Sequence, residues 1–167
     1  MKMYLLAMPI MISISTATLA VETKIAMNAS GTDKAMAVET TDHKVEMKNT
    51  GADGIMVFEP AVLRVNVGDT IHFMPTDMAH NSESIEGLTP KGSVTWQGAM
   101  NEAVSVTLDK EGVYVYQCLP HAPLAMVGVI VAGEPTNLAE IKEKAIDYSS
   151  RFATNKDRLD NYITSLQ

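Results

Sequence analysis

Val113-Tyr114-Val115-Tyr116-Gln117-Cys118, then Leu119-Pro120-His121-Ala122-Pro123-Leu124-Ala125, then Met126-Val127-Gly128-Val129-Ile130-Val131-Ala132: this stretch reads as strand, loop and strand. The flanking runs are rich in β-branched and aromatic residues, which suit a pleated, buried surface. Pro120 and Pro123 stiffen the loop and remove two backbone donors. Cys118 closes the first strand, Met126 opens the second, and His121 stands between them. A sharp loop of this kind can gather three side chains around one ion.

The same pattern of short apolar runs separated by turn residues extends upstream. His43-Lys44-Val45-Glu46-Met47-Lys48 alternates, and Asn49-Thr50-Gly51-Ala52-Asp53-Gly54 reads as a turn. Residues 55–58 form a strand that halts at Pro60. Ala61, Leu63, Val65 and Val67 make one face of the next strand, which Gly68-Asp69 turns. Residues 70–74 follow, stopped by Pro75, and Val104, Val106 and Leu108 alternate before the turn Asp109-Lys110-Glu111-Gly112. About seven or eight strands at this spacing predict a mainly β protein, an antiparallel β-sandwich. The tail reads differently. Asn137 is placed to cap a helix, with Glu140 as its partner three residues on. Leu138, Ile141, Ala145 and Ile146 share one face, and after Ser149-Ser150 the pattern repeats through Phe152, Leu159 and Ile163. Two C-terminal α-helices are expected to cover an open edge or face without carrying chemistry.

The candidate metal ligands are His80, Cys118, His121 and Met126. Two imidazoles, one thiolate and one thioether are the ligand set of an electron-transfer copper site, a trigonal His₂Cys plane with a weak, long axial Met. Zinc sites rarely use thioether. Soft sulfur ligands suit Cu(I) and imidazole accepts both oxidation states, so the set tolerates a one-electron change with little movement. A lone C-x-x-H would be weak, but C-x-x-H-x-x-x-x-M with an upstream His80-Asn81 in a β-rich chain is specific. No acid–base pair, activated nucleophile or phosphate loop is evident, and four protein ligands would close the site to substrate, so an enzyme is not expected. His72 alternates out of phase with Ile71 and Phe73, and His43 reads as a surface strand residue, so neither is expected as a ligand. Trp96, Tyr114 and Tyr116 read as packing.

At 167 residues the chain has room for one domain and a little more. Lys2, an apolar run over residues 4–14 and Thr18-Leu19-Ala20 read as a secretion signal at residues 1–20. The run is shorter than the ~20 residues of a membrane span, so no membrane anchor is expected. Residues 21–41 read as a flexible spacer and residues 42–167 as the folded domain. A single Cys forms no internal disulfide, and a lone thiol in an oxidising compartment needs protection that metal ligation can supply. The net charge of −7 disfavours nucleic-acid binding.

From Asp42 to the C-terminus the chain resembles the cupredoxins, and among them the pseudoazurins. Beyond the ligands, the resemblance rests on Met56-Val57-Phe58-Glu59-Pro60, Gly68-Asp69-Thr70, His80-Asn81 with Glu83-Ser84-Ile85, and the two C-terminal helices. It implies an eight-stranded Greek-key sandwich with one type 1 copper ion, in a monomer that shuttles single electrons in a bacterial periplasm. Its partners would be transient: nitrite reductase or other periplasmic oxidoreductases, and cytochrome c donors. His80, Cys118 and His121 would be equatorial ligands and Met126 the axial one. Met56 would pack near His121, Asn81 would brace the loop, and backbone hydrogen bonds to the Cys118 sulfur would tune the potential. Leu119, Ala122, Leu124 and Ala125 depart from the family pattern, and few lysines stand near the relevant segments, Lys48, Lys91 and Lys110 being the candidates. Met56, Pro75, Ala122, Pro123 and Leu124 would form the apolar patch that meets a partner. The alternative is a periplasmic copper-binding or delivery protein, for which Met27 and Met36 are sparse ligands.

Overall fold

A computed structural model describes residues 39–167. The expected signal at residues 1–20 and most of the spacer at 21–41 lie outside the described residues. Eight strands appear in chain order: β1 (Asp42–Gly51), β2 (Gly54–Glu59), β3 (Val62–Val65), β4 (Thr70–Pro75), β5 (Glu83–Ser84), β6 (Val104–Thr107), β7 (Gly112–Gln117) and β8 (Val127–Ala132). Two helices follow, α1 (Leu138–Ser149) and α2 (Arg158–Thr164). The strands form two four-stranded sheets, ordered β2-β1-β4-β6 and β3-β8-β7-β5.

The expected two-sheet sandwich with two C-terminal helices is present, but it is not antiparallel throughout. β1 runs parallel to β4, and β3 runs parallel to β8. Alternation within a run shows that a strand has a buried face but not which strand lies beside it. The chain crosses between sheets at every connection from β2 to β7, so the neighbour is set by long-range packing. A second difference is local. The stretch expected to turn from Asn49 continues as strand to Gly51, leaving a tight turn before Gly54.

The core between the sheets is built from Val45 and Met47 of β1, Ile71 and Phe73 of β4, Tyr114 and Tyr116 of β7, and Ile130 of β8, among others. Tyr116 packs edge-on to Phe58 and Phe73, while Trp96 stacks on Phe73. The expected packing role of Trp96 and the tyrosines is therefore met. A Cβ at Gly128 would overlap the Tyr116 ring, so glycine opposite this tyrosine leaves the ring its space.

β7 and β8 are buried along nearly their whole length, unlike a sheet with one wet face. Their outward residues Val113, Val115, Val127, Val129 and Val131 are covered by Ile141, Ala145, Leu159 and Ile163 of the helices. That explains their near-continuous apolar runs: strands buried on both faces lose the alternation of a half-exposed strand. Ile141 and Ala145 face inward as expected, but Ile146 is 72% exposed and the third inward residue is Tyr148. Asn137 does not cap α1 with its side chain. Its Oδ1 accepts the Val113 N–H at 2.7 Å and its Nδ2 donates to the Val113 carbonyl at 3.0 Å, so it fastens the helix start to β7.

Candidate metal centre

Along β7, Val113 and Val115 face the helices while Tyr114, Tyr116 and Cys118 face the inter-sheet core. Strand alternation thus delivers a fully buried thiol at the strand's end. The chain then turns through a 3₁₀ helix, Leu119–Leu124, with Pro120 in its first turn. The His121 N–H donates to the Cys118 carbonyl at 3.1 Å, and the Met126 N–H donates to the His121 carbonyl at 3.2 Å. The Cys118 N–H closes the loop onto the Met126 carbonyl at 3.0 Å. Met126 is fully buried in the same core cluster as Cys118. Ala125 ends the 3₁₀ helix in the left-handed region at φ 59°, a conformation glycine enters more cheaply.

His80 arrives on the segment between β4 and β5. Its carbonyl accepts the Asn101 N–H at 2.8 Å. Next to it, Asn81 Oδ1 accepts the Leu119 N–H at 2.8 Å and Nδ2 donates to the Gly98 carbonyl at 3.2 Å. The expected brace by Asn81 is present, made to backbone, so the apolar side chain at Leu119 does not remove it. Asn49 is the functional neighbour that the sequence reading missed. Its Oδ1 lies 3.0 Å from His80 Nε2, and its own N–H donates to Asp77 Oδ2 at 2.6 Å. An amide oxygen only accepts, so His80 carries its proton on Nε2 and leaves Nδ1 as a bare lone pair.

Among the described residues, His80, Cys118 and His121 form the one group of three such donors able to hold a metal ion. Cys118 Sγ lies 3.7 Å from His80 Nδ1 and 3.4 Å from His121 Nδ1, and the two nitrogens are 3.1 Å apart. Atoms at these separations share a circle whose centre is about 2.0 Å from each, the bond length a first-row ion makes to imidazole. The donors therefore fit a trigonally held metal. His80 and Cys118 are fully buried, whereas His121 is half-buried and gives the site its contact with solvent.

Burial, aided by His121, lowers the His80 pKa and favours its neutral, ligating form. Burial raises the Cys118 thiol, opposed by backbone N–H groups of Asn81 and His121. Those groups favour the thiolate, the form that binds a metal.

His43 and His72 do not join the group. His43 Nε2 bonds Asp69 Oδ2 at 2.9 Å, and His72 bonds Ser105 Oγ at 2.7 Å. His43 is thus tied to a buried carboxylate and is less free than a plain surface residue. The lysine candidates fare poorly as a docking ring. Lys48 is paired with Glu59. Lys110 donates to the Lys91 carbonyl beside the start of β7, at the end of that strand opposite Cys118. Of the expected apolar patch, Pro123 is exposed and Met56, Pro75, Ala122 and Leu124 are half-buried; Leu119 is more exposed than any of these four, at 54%.

A buried thiol flanked by two imidazoles, one buried and one half-buried, suits a metal that changes charge without exchanging ligands. That defines a single-copper electron carrier of the cupredoxin class, and not an enzyme. A family model for copper binding proteins of the plastocyanin/azurin family matches residues 45–133. The pseudoazurin of Paracoccus pantotrophus is 39% identical over 110 residues, covering 65% of this chain and 76% of that protein. The pseudoazurin of Methylorubrum extorquens is 35% identical over 139 residues, covering 80% and 91%. The solved structure of a pseudoazurin from a Sinorhizobium species superposes with a TM-score of 0.70 at 43% identity, covering 77% of this chain and 98% of that one. The chain belongs to the pseudoazurins, within that copper-binding family.

Proposed function

We propose that this protein is a periplasmic carrier of single electrons, with His80, Cys118 and His121 as equatorial copper ligands and Met126 as the axial one. The observation that carries the reading is the donor triangle, whose centre lies about one metal–ligand bond length from all three atoms. Copper bound there supplies a site that takes up and releases one electron. The chain's own residues hold the donors in place in either state. Asn49 fixes the His80 ring, Asn81 ties the His80 segment to the loop, and the loop's hydrogen bonds set Cys118 against His121. Electrons would pass through the half-buried His121 ring.

In this reading residues 1–20 are removed on export, residues 21–41 link to the domain at 42–167, and the protein works as a monomer. Among the described residues no helix is long and apolar enough to cross a membrane. The partners proposed are a cytochrome c as donor and a copper nitrite reductase or related oxidoreductase as acceptor. Visible absorption of the copper-loaded protein tests the site. A thiolate-to-copper band should bleach on reduction, return on oxidation and vanish in Cys118→Ser. Copper bound without that band would put Cys118 outside the equatorial plane and favour copper delivery. Intact mass of the protein recovered from the periplasm tests residues 1–20.

A further inference from the structure

We infer that the metal-bearing end of the sandwich docks a cationic partner, a redox protein whose cofactor opening is rimmed by lysine or arginine; this rests on the carrier reading above. Three exposed apolar side chains lie on the segments that carry His80 and the half-buried His121: Met78 is 70% exposed, Leu119 54% and Met100 45%. Each lies on a segment tied to the His80-Asn81 pair. Leu119 donates its N–H to Asn81, the Asn101 N–H donates to the His80 carbonyl, and Ala79 donates to Asn101 Oδ1. So Met78 and Met100 flank a single stitch beside His80.

The charges on these segments are acidic. Asp77 precedes Met78, and Glu102 lies two residues beyond Met100. Asp157 follows Asn155, whose side chain donates to the Leu124 carbonyl at the loop's end. Lys156 stands beside it, Arg151 lies over the Tyr148 ring two residues before Ala153, whose N–H donates to the Pro123 carbonyl, and Lys48 is paired with Glu59. The other cations among the described residues are elsewhere or engaged, Arg64 donating to the Leu166 carbonyl and Lys142 standing on α1. Lys91 and Lys110 sit at the opposite end of β7, Lys44 pairs with Glu46, and Lys144 pairs with Glu140. Arg158 is buried against backbone carbonyls. An apolar centre within an acidic rim, on a chain of net charge −7, is complementary to a basic surface with an apolar opening. Of the partners proposed above, a basic cytochrome c fits this face, and an acceptor with an acidic rim does not.

The test is a titration of the nitrogen-15-labelled, Cu(I)-loaded protein with a basic cytochrome c, read by amide shifts at about 20 and about 200 mM salt. Shifts should centre on Met78, Met100, Leu119 and Ala122, and affinity should fall several-fold at the higher salt. Glu102→Lys with Asp157→Lys should weaken binding about tenfold. Glu111→Lys with Glu134→Lys, beside the far ends of β7 and β8, should change it less than about twofold. Shifts centred elsewhere, binding indifferent to salt, or equal weakening by both double variants would overturn the inference. Reversible voltammetry of the copper-loaded protein separates the two readings. If it is reversible while the shifts map elsewhere, docking alone fails; if it is irreversible, the carrier reading fails.

Discussion

Asn49 shows what a sequence cannot announce about a site. It sits in an Asn-Thr-Gly stretch whose composition says turn, yet it lies within β1, near its end, and bonds the far nitrogen of His80. Nothing in spacing links positions 49 and 80, because the contact crosses from one strand end to a loop. The donors themselves were legible, since Cys118, His121 and Met126 share one loop and His80 is marked by its Asn neighbour. Asn49→Ala should leave the fold intact and weaken metal affinity about 10- to 100-fold, measured by chelator competition, because His80 loses the partner that fixes its tautomer. An unchanged affinity would make the Asn49 bond incidental. Tyr116 poses the opposite case. Its packing was legible from alternation, but its hydroxyl is buried without a partner among the described residues. Burial also raises its pKa far above the usual phenol range. Tyr116→Phe removes an unmet polar group and keeps the ring against Phe58 and Phe73, so it should stabilise the protein by about 1 kcal/mol in urea unfolding.

At the scale of elements, the tail was legible as two helices but not as a brace for the site. α2 was expected to cover the sandwich without carrying chemistry, and its apolar residues do cover β8. Its first residue does more. Arg158 is buried and donates to the carbonyls of Asp53, Ile55, Met56 and Ala125. One guanidinium therefore ties the β1–β2 turn, the start of β2 and the end of the metal loop to a single helix. The periodicity of α2 shows an inward face, but a charged residue at that position reads as solvent-facing because its acceptors come from 33 to 105 residues away. Arg158→Met keeps much of the volume and strands the carbonyls. It should cost about 3 kcal/mol and lower Tm by roughly 10 °C, seen by thermal circular dichroism. A loss well under 1 kcal/mol would mean that the carbonyls find water instead. The parallel pairings of β1 with β4 and β3 with β8 were illegible for a related reason: each joins strands whose sequence connection passes through the other sheet.

For the whole molecule, acid and metal act on different parts of the fold. Asp69 is buried, which opposes its charge, yet N–H groups of Asn66 and Thr41 and the His43 ring outweigh burial and hold its pKa below the usual carboxylate value. A depressed folded pKa gives stability that is present above the unfolded pKa and lost as pH falls through the folded one. Tm should therefore drop as pH is lowered below about 4, and Asp69→Asn should flatten that drop while lowering Tm at neutral pH. Copper removal should behave otherwise. The donors are held by protein contacts alone: Asn49 on His80, Asn81 on the loop, and Arg158 on the Ala125 carbonyl. The apoprotein should accordingly keep its β-sheet circular dichroism and unfold cooperatively. Metal binds only the folded arrangement, so copper at 1,000 times its dissociation constant adds about 4 kcal/mol by mass action. That predicts a holoprotein Tm more than about 10 °C above the apoprotein. An apoprotein without cooperative unfolding would mean that the metal builds the site, and the hydrogen bonds around His80 and Cys118 would then be a consequence of binding rather than its preparation.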